Sequence, residues 1–413
     1  MHDYNYKKEE NLFWFYRGQR DSTEFDDTQL ENNFTKALFI VLKSCENFRN
    51  DFLSSFLKVK CHGEMAFEMQ KTKPVDFDPD KKPVLFILSE EIRKVHSKRT
   101  KKHKSIPDGW IITSNQNILV EVKITGTITE DQLRRHEKRL GKKAKRIYRT
   151  WNELTVFIKD QLAKSQNEVE SFLLNQFLVF LEVEGMTKFS GFNESDLNFF
   201  KSKKNATHET RNALRRKFTN FKEAISKNRK LSRHLKPGEV GVLKKYAESI
   251  WFPIPLKKTP YFNISVVLEL EELSVSLSSP LHSTSDGIKF VKNLNDRQKN
   301  IVKFFRKHPD LVVTLFKREE GAKKESWIRY DMWNPVQTIS AEMMSKGLVD
   351  MADLRKQFEK IDSGVLGRSK AGISIKYSIP RAELMQMDAS RTVKETIDGI
   401  KLMDQLARKI TGK

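Results

Sequence analysis

The sequence predicts a two-domain α/β protein, with helices packed on sheets in both halves. The chain has 413 residues, which is too many for one compact core because domains usually run about 100–200 residues. Its 38% hydrophobic content is enough to bury sizeable cores. Helical periodicity alternates with short apolar runs in the first half, and a new series of strand-like segments begins near residue 250. We therefore expect a first domain at 1–200, a basic helical connector at 201–240 and an α+β domain at 241–413.

The first domain opens with a predicted helix over 27–48. Its apolar residues recur at steps of three and four and form one stripe: Leu30, Phe34, Leu38 and Val41. Thr28 and Glu31 have the spacing of a capping box at its start. The apolar run at 84–88 is a candidate strand.

A β-hairpin and a basic helix follow. Residues 109–113 and 118–124 are rich in β-formers, and the polar residues 114–117 between them are typical of a turn. A helix is predicted over 129–147, with its remaining faces crowded by lysine and arginine. Helical periodicity then continues, with breaks, over 150–183.

The second domain has a different pattern. Residues 201–236 contain 13 lysines and arginines and few apolar positions, which indicates a basic helical connector. Strands are expected at 262–270, 273–277, 311–316, 327–330 and 373–379, and helices at 290–307 and 382–410.

The net charge of +22 is unevenly distributed. Residues 1–92 carry −4, residues 93–236 carry +18 and residues 237–413 carry +8. A local excess of this size favours a polyanionic partner, and nucleic acid before an anionic membrane surface.

Other classes are excluded by composition. Two cysteines cannot form a disulfide framework or a cysteine-based zinc cluster. We expect no signal peptide and no membrane span, because no run approaches the ~20 apolar residues that a span needs. These observations favour the reducing cytoplasm. No phosphate-binding Gly-x-x-x-x-Gly-Lys-Ser/Thr loop is present, so translocation along DNA would need a partner.

The segment that carries chemistry is Pro107-Asp108, twelve further residues, then Glu121-Val122-Lys123. Side chains alternate along a strand, so Glu121 and Lys123 should share a face while Val122 points into the core. The hairpin should bring Asp108 beside Glu121. Two convergent carboxylates suit Mg²⁺ or Mn²⁺, and the carbonyl of Val122 could add a ligand. Lys123 could orient or deprotonate an attacking water.

These four residues, Pro107, Asp108, Glu121 and Lys123, resemble the motif of the PD-(D/E)XK restriction-endonuclease-like nucleases. The resemblance covers roughly residues 25–185 and implies a restriction-endonuclease-like core, in which a mixed four-stranded sheet carries a helix on each side. It implies Asp108 and Glu121 as metal ligands, Lys123 as the catalytic lysine and Mg²⁺-dependent cleavage of DNA.

The resemblance also suggests further site residues. Glu31 stands on the first helix, where the family often has an acidic metal ligand. Gln132 stands where one branch begins a Gln-x-x-x-Tyr motif, although His136 replaces the tyrosine here. Both residues equally suit capping boxes, and His136 suits the apolar core better than a catalytic role. The segment 31–38 resembles the opening helix of bacterial phage-defence nucleases, which implies defence against foreign DNA.

Basic residues on either side of the hairpin are expected to contact the DNA backbone. They are Lys101, Lys102 and Lys104 before Asp108, and Arg134, Arg135, Lys138 and Arg139 on the following helix. Two alternatives remain open at this point. The chain could be a nucleic-acid-binding subunit with an inactive nuclease fold, or an interaction subunit of a larger complex. A regulatory protein partner or a second copy of the chain is compatible with either.

Overall fold

The computed structural model describes most of the chain. The described residues are 11–13, 27–90, 106–124, 128–141, 143–201, 208–228, 231, 235–241, 247–256, 262–279, 284–318, 333–348, 350–362 and 371–412. They form a mixed α/β structure with two sheets. The chain divides into two compact units, Met1–Lys188 and Phe189–Lys413. Within the described residues, no helix combines the length and apolarity needed to cross a membrane.

The first unit is built on a five-stranded mixed sheet in the order β1-β3-β4-β2-β5. Its strands are β1 (Ala66–Met69), β2 (Lys82–Ser89), β3 (Gly109–Ile112), β4 (Gln116–Val122) and β5 (Lys145–Thr150). The strands β3 and β4 form the predicted antiparallel hairpin, with Gly109 opposite Val120. The strands β4, β2 and β5 run parallel to one another.

Helices cover both faces of this sheet. They are α1 (Asp27–Ser44), α2 (Glu46–Asp51), α3 (Glu130–Leu140), α4 (Trp151–Lys164) and α5 (Glu168–Val183). Successive side chains of β4 point to opposite faces of the sheet and enter two separate cores. Val120 packs with α1, α2, α4 and α5, whereas Leu119 packs with Leu133 and Leu140 of α3. The sheet therefore separates α1 from α3.

The helix predicted over 129–147 is shorter in the structure. It ends at Leu140 because Gly141 adopts a left-handed conformation with φ of 75°, a common helix stop. The following basic residues enter β5, where Arg146 pairs with Glu130 at 3.1 Å and with Glu137 at 2.9 Å. Part of the positive charge assigned to this helix is therefore neutralised within the first unit.

The second unit contains a six-stranded antiparallel sheet in the order β10-β9-β11-β8-β7-β6. The strands are β6 (Ser249–Ile254), β7 (Asn263–Glu269), β8 (Glu272–Ser278), β9 (Val312–Arg318), β10 (Trp333–Ser340) and β11 (Ala371–Pro380). The helices are α6 (Glu194–Asn198), α7 (His208–Ser226), α8 (Thr284–Asp296), α9 (Gln298–Lys307), α10 (Ala341–Ser345), α11 (Met351–Asp362), α12 (Arg381–Leu384) and α13 (Ala389–Thr411).

The helix expected within the basic connector is α7, and it packs into the core of the second unit. Phe218 and Phe221 are fully buried there against Phe252 of β6. Lys217 is also buried, and its Nζ lies 2.5 Å from Asp196 Oδ2. The second unit therefore begins before the predicted connector, and at least one of the connector's lysines serves its internal structure.

Candidate functional site

Asp108 lies immediately before β3, and the hairpin fixes its carboxylate beside β4. Its Oδ2 accepts a hydrogen bond from the backbone N–H of Val122 at 2.7 Å. The Asp108 side chain is almost fully buried. The sequence argument that the hairpin brings Asp108 to the end of the Glu121 strand agrees with this contact.

Lys123 lies between two buried carboxylates. Its Nζ is 2.8 Å from Oε2 of Glu31 and 3.1 Å from Oε1 of Glu121. The other oxygen of Glu31 accepts from the backbone N–H of Ile124 at 3.3 Å. Glu31 comes from α1 and Glu121 from β4, so the lysine joins a helix on one side of the sheet to the end of the hairpin. Glu31, Asp108, Glu121 and Lys123, four of the predicted site residues, are thus brought together.

Glu121 also contacts α3 through His136. The Nε2 of His136 lies 3.1 Å from Oε2 of Glu121, at ion-pair distance but without the alignment of a hydrogen bond. Both side chains are buried. Arg139 approaches the Nδ1 of His136 at 3.1 Å. A guanidinium only donates, so this contact is favourable in the tautomer whose Nδ1 accepts and whose Nε2 proton faces the carboxylate.

The pKa values of the three carboxyl groups are shifted in different directions. Burial, and then the nearby charge of Glu121, raise the pKa of Asp108 to about 8. Burial likewise raises the pKa of Glu31 despite its contact with Lys123. Burial alone would raise the pKa of Glu121 as well, but the interactions with His136 and Lys123 outweigh it and hold that pKa below its usual range.

The ammonium of Lys123 keeps its proton. Burial alone would lower the pKa of Lys123, but the charges of Glu121, Glu31 and Asp108 raise it. One lysine therefore lies among three carboxyl groups, and the pKa of Asp108 is raised mainly by burial, with the nearby charge of Glu121 as the second cause.

The donor set suits a hard divalent cation. Three carboxylates supply oxygen ligands of the type that Mg²⁺ and Mn²⁺ prefer, and a cation beside Asp108 and Glu121 would offset their mutual repulsion. Within the described part of the chain, however, no three His, Cys, Asp or Glu side chains are already arranged as a metal site. The residues thus fit the ion by chemistry and charge, while Lys123 holds Glu31 and Glu121 as ion pairs.

Gln132 has a structural contact instead. The Oε1 of Gln132 accepts a hydrogen bond from the backbone N–H of Thr129 at 3.2 Å. The backbone N–H of Gln132 donates to the hydroxyl of Thr129 at 3.3 Å. This is the complete capping box of α3. The described contacts do not join Gln132 to the carboxylate cluster.

The predicted DNA-contacting residues have different surroundings. Arg134 and Lys138 are exposed on α3, and Arg134 makes only a long 3.8 Å ion pair with Glu130. Arg135 donates to the backbone oxygen of Asp131 at 3.1 Å. Arg139 is partly buried through its contact with His136, so its guanidinium is partly committed to the interior. Lys101, Lys102 and Lys104 lie outside the described residues.

The contact between His136 and Glu121 was not expected from the sequence, which left His136 as a core residue. The available signal was spacing: His136 and Arg139 are three residues apart and therefore share a face of α3. That signal is weak, because many helices carry such pairs.

No protein-family model matches the sequence, and comparison with curated proteins found no significant match. Function must therefore be inferred from the site itself, since fold class alone does not specify it.

Proposed function

We propose that the chain is a metal-dependent deoxyribonuclease with an active site of the PD-(D/E)XK type in its first unit. The observation that carries the proposal is that two buried carboxylates, Glu31 and Glu121, contact Lys123 while a third, Asp108, is bound to the neighbouring Val122 and influences the lysine electrostatically. Glu31 lies 92 residues from Lys123 in sequence, so the cluster is made by the tertiary fold and not by a local turn. The motif alone did not require this meeting.

The sheet around the cluster supports the same proposal. Strands β3, β4, β2 and β5 form a mixed sheet with α1 on one side and α3 on the other. This is the arrangement that the resemblance to restriction-endonuclease-like nucleases implies, with β1 as an additional edge strand. The carboxylates stand at the end of β4, beside its partner β2.

The proposed chemistry assigns each residue a role. Bound Mg²⁺ or Mn²⁺ would supply an activated water and stabilise charge developing on the phosphate. Asp108 and Glu121 would hold the ion, with Glu31 and the carbonyl of Val122 as further ligands. Because Lys123 keeps its proton, we assign it to orienting the nucleophile and stabilising negative charge, and not to removing a proton.

The exposed residues of α3 would hold the substrate. Arg134 and Lys138 lie on the same helix as His136, which contacts Glu121. They could pair with backbone phosphates without reading sequence. The cellular role that we propose, defence against foreign DNA, rests on the resemblance alone.

A second function is favoured by one specific observation. Lys123 forms ion pairs with both Glu31 and Glu121, as it would in a structural ion cluster. The chain would then be a nucleic-acid-binding subunit with an inactive nuclease fold. Such a subunit should bind DNA and leave it intact in Mg²⁺.

Cleavage assays on matched variants separate the two. Plasmid, linear duplex and single-stranded DNA are incubated with the full-length protein in Mg²⁺, Mn²⁺ or EDTA. The test variant is Asp108→Asn, because asparagine keeps an oxygen that can accept from Val122. The control is Asp160→Asn, which removes the same charge from an exposed position on α4.

We expect metal-dependent cleavage by the wild-type protein and the control, and at least a hundredfold loss in Asp108→Asn. The product ends then distinguish endonuclease from exonuclease activity. Cleavage at the wild-type rate in Asp108→Asn would remove this site from consideration. Salt-sensitive binding without cleavage on any of the three DNAs would favour the binding subunit.

A further inference from the structure

Helix α9 of the second unit has one apolar face and one wholly basic face. Ile301, Phe304 and Phe305 are buried in the core of the unit. The opposite face carries Lys299, Lys303, Arg306 and Lys307, which are all exposed and which we call the α9 ridge. The ten residues of this helix include no acidic side chain.

Basic residues on or beside other helices of the second unit form ion pairs. They pair with acidic residues four positions away: Lys346 with Glu342 at 2.6 Å, Arg355 with Glu359 at 2.8 Å, and Arg408 with Asp404 at 3.0 Å. Within the described residues, Lys299, Lys303 and Lys307 make no such ion pair. Arg306 donates only to the backbone oxygen of Ser345, at 3.3 Å.

The spacing of these lysines does not stabilise helix α9. Like charges four residues apart destabilise a helix, and Lys299, Lys303 and Lys307 stand at this spacing. Acidic residues lie just outside the helix, at Asp296 and Asp310, but none interrupts the ridge. An external anion would relieve the repulsion that the protein leaves in place.

We propose that the α9 ridge is a binding site for the phosphate backbone of nucleic acid in the second unit. Lys307 lies eight positions after Lys299, so the ridge extends about 12 Å along the helix axis. A linear array of lysines over this length suits a polyanionic strand better than a single phosphate group. It would bind without regard to base sequence.

Other partners fit the ridge less well. All of α9 is described, and none of its large apolar side chains is exposed, so it lacks the anchor that membrane-surface helices use. Protein interfaces are depleted in lysine and enriched in aromatic residues, which this face lacks. Phosphate contact needs only the charge that the ridge presents.

The test measures the salt dependence of DNA binding in EDTA, where metal-dependent cleavage cannot interfere. Fluorescence anisotropy follows a labelled duplex of random sequence with the full-length protein. The test variant carries Lys299→Gln, Lys303→Gln and Lys307→Gln. The control carries Lys346→Gln, Lys356→Gln and Lys401→Gln, which removes the same charge from exposed or partly exposed lysines of the second unit that already have acidic partners.

We expect the ridge variant to reduce the slope of log affinity against log salt by about 2.7, since each lost phosphate contact lowers it by about 0.9. Between 50 and 200 mM salt, the wild-type affinity should then fall about 40-fold more than that of the variant. The control should keep the wild-type slope. The ridge variant should be at least as stable to heat as the wild type, because the substitutions remove like-charge repulsion on α9. The control should lose little stability, because exposed ion pairs contribute little.

Two results would overturn the proposal. Equal slopes in the ridge variant and the control would mean that the ridge makes no specific phosphate contacts. Loss of binding to anionic phosphatidylserine vesicles in the ridge variant, with unchanged DNA binding, would assign the ridge to a membrane surface. Neither result depends on whether the first unit cleaves DNA.

Discussion

Replacement of Asp108 by asparagine should stabilise the metal-free protein, and by more as the pH rises. The asparagine oxygen can still accept from Val122, so the change removes the titratable group and keeps this contact. In the folded protein the pKa of Asp108 is raised to about 8, chiefly by burial and by Glu121. In the unfolded chain it returns to about 3.9.

The sign and size of the effect follow from proton linkage. A carboxyl group whose pKa is raised by folding destabilises the folded state progressively as the pH rises from about 4 to about 8. At pH 7 the cost for Asp108 is on the order of 4 kcal/mol, and at pH 5 it is less than half of that. Asparagine bears no such cost. The stability gap between variant and wild type should therefore widen between pH 5 and pH 7 by an amount on the order of 2 kcal/mol.

Urea denaturation in EDTA, at several pH values between 5 and 7, measures this gap, with Asp160→Asn as the charge-matched control. Addition of Mg²⁺ should stabilise the wild type at pH 7, because a bound cation favours the ionised carboxylate. It should have much less effect on Asp108→Asn. A gap that stays constant with pH, or equal stabilisation of both proteins by Mg²⁺, would refute the electrostatic account of this site.

Two further predictions concern the same cluster, and a third concerns the capping box of α3. Lys123→Met should lower the free energy of unfolding at pH 7 by about 3–5 kcal/mol in urea denaturation, because it leaves Glu31 and Glu121 buried without a cation; an unchanged midpoint would contradict the ion pairing. His136→Phe should weaken Mn²⁺ binding about tenfold in calorimetric titration, because Glu121 loses the contact that orients it, and wild-type affinity would show that the histidine only packs. Gln132→Ala should cost about 1 kcal/mol in thermal unfolding and leave DNA cleavage within a few-fold of wild type, whereas a loss above a hundredfold would indicate a catalytic glutamine.

The sequence was most informative where one local rule determined the outcome. Alternating β-formers around a polar turn predicted the hairpin, and pairing in register placed Asp108 beside the end of β4. The four-residue motif then indicated which side chains to examine. Glu31 could not be placed in this way, because its contact with Lys123 depends on how α1 packs against the sheet.

The basic residues show the opposite case. The sequence predicted one helix over 129–147 with lysine and arginine crowding its exposed faces. In the structure, left-handed Gly141 follows the end of the helix, and Arg146 lies in β5 beside two glutamates. Arg139 similarly turns toward His136. A count of charged residues does not by itself identify a basic surface. The ion pairs must also be known, and they depend on tertiary packing.

The surplus of carboxylates in the first unit argues against a purely structural interpretation of the cluster. A structural ion pair needs one acid for each base, and Lys123 with Glu121 would already satisfy that need. Asp108 adds a carboxyl group that is so unfavourably placed that its pKa rises to about 8. Residues that oppose stability in a buried site are expected where a ligand compensates for them. These oxygens would bind a divalent cation. We therefore expect the carboxyl group of Asp108, which destabilises the fold, to be required for function.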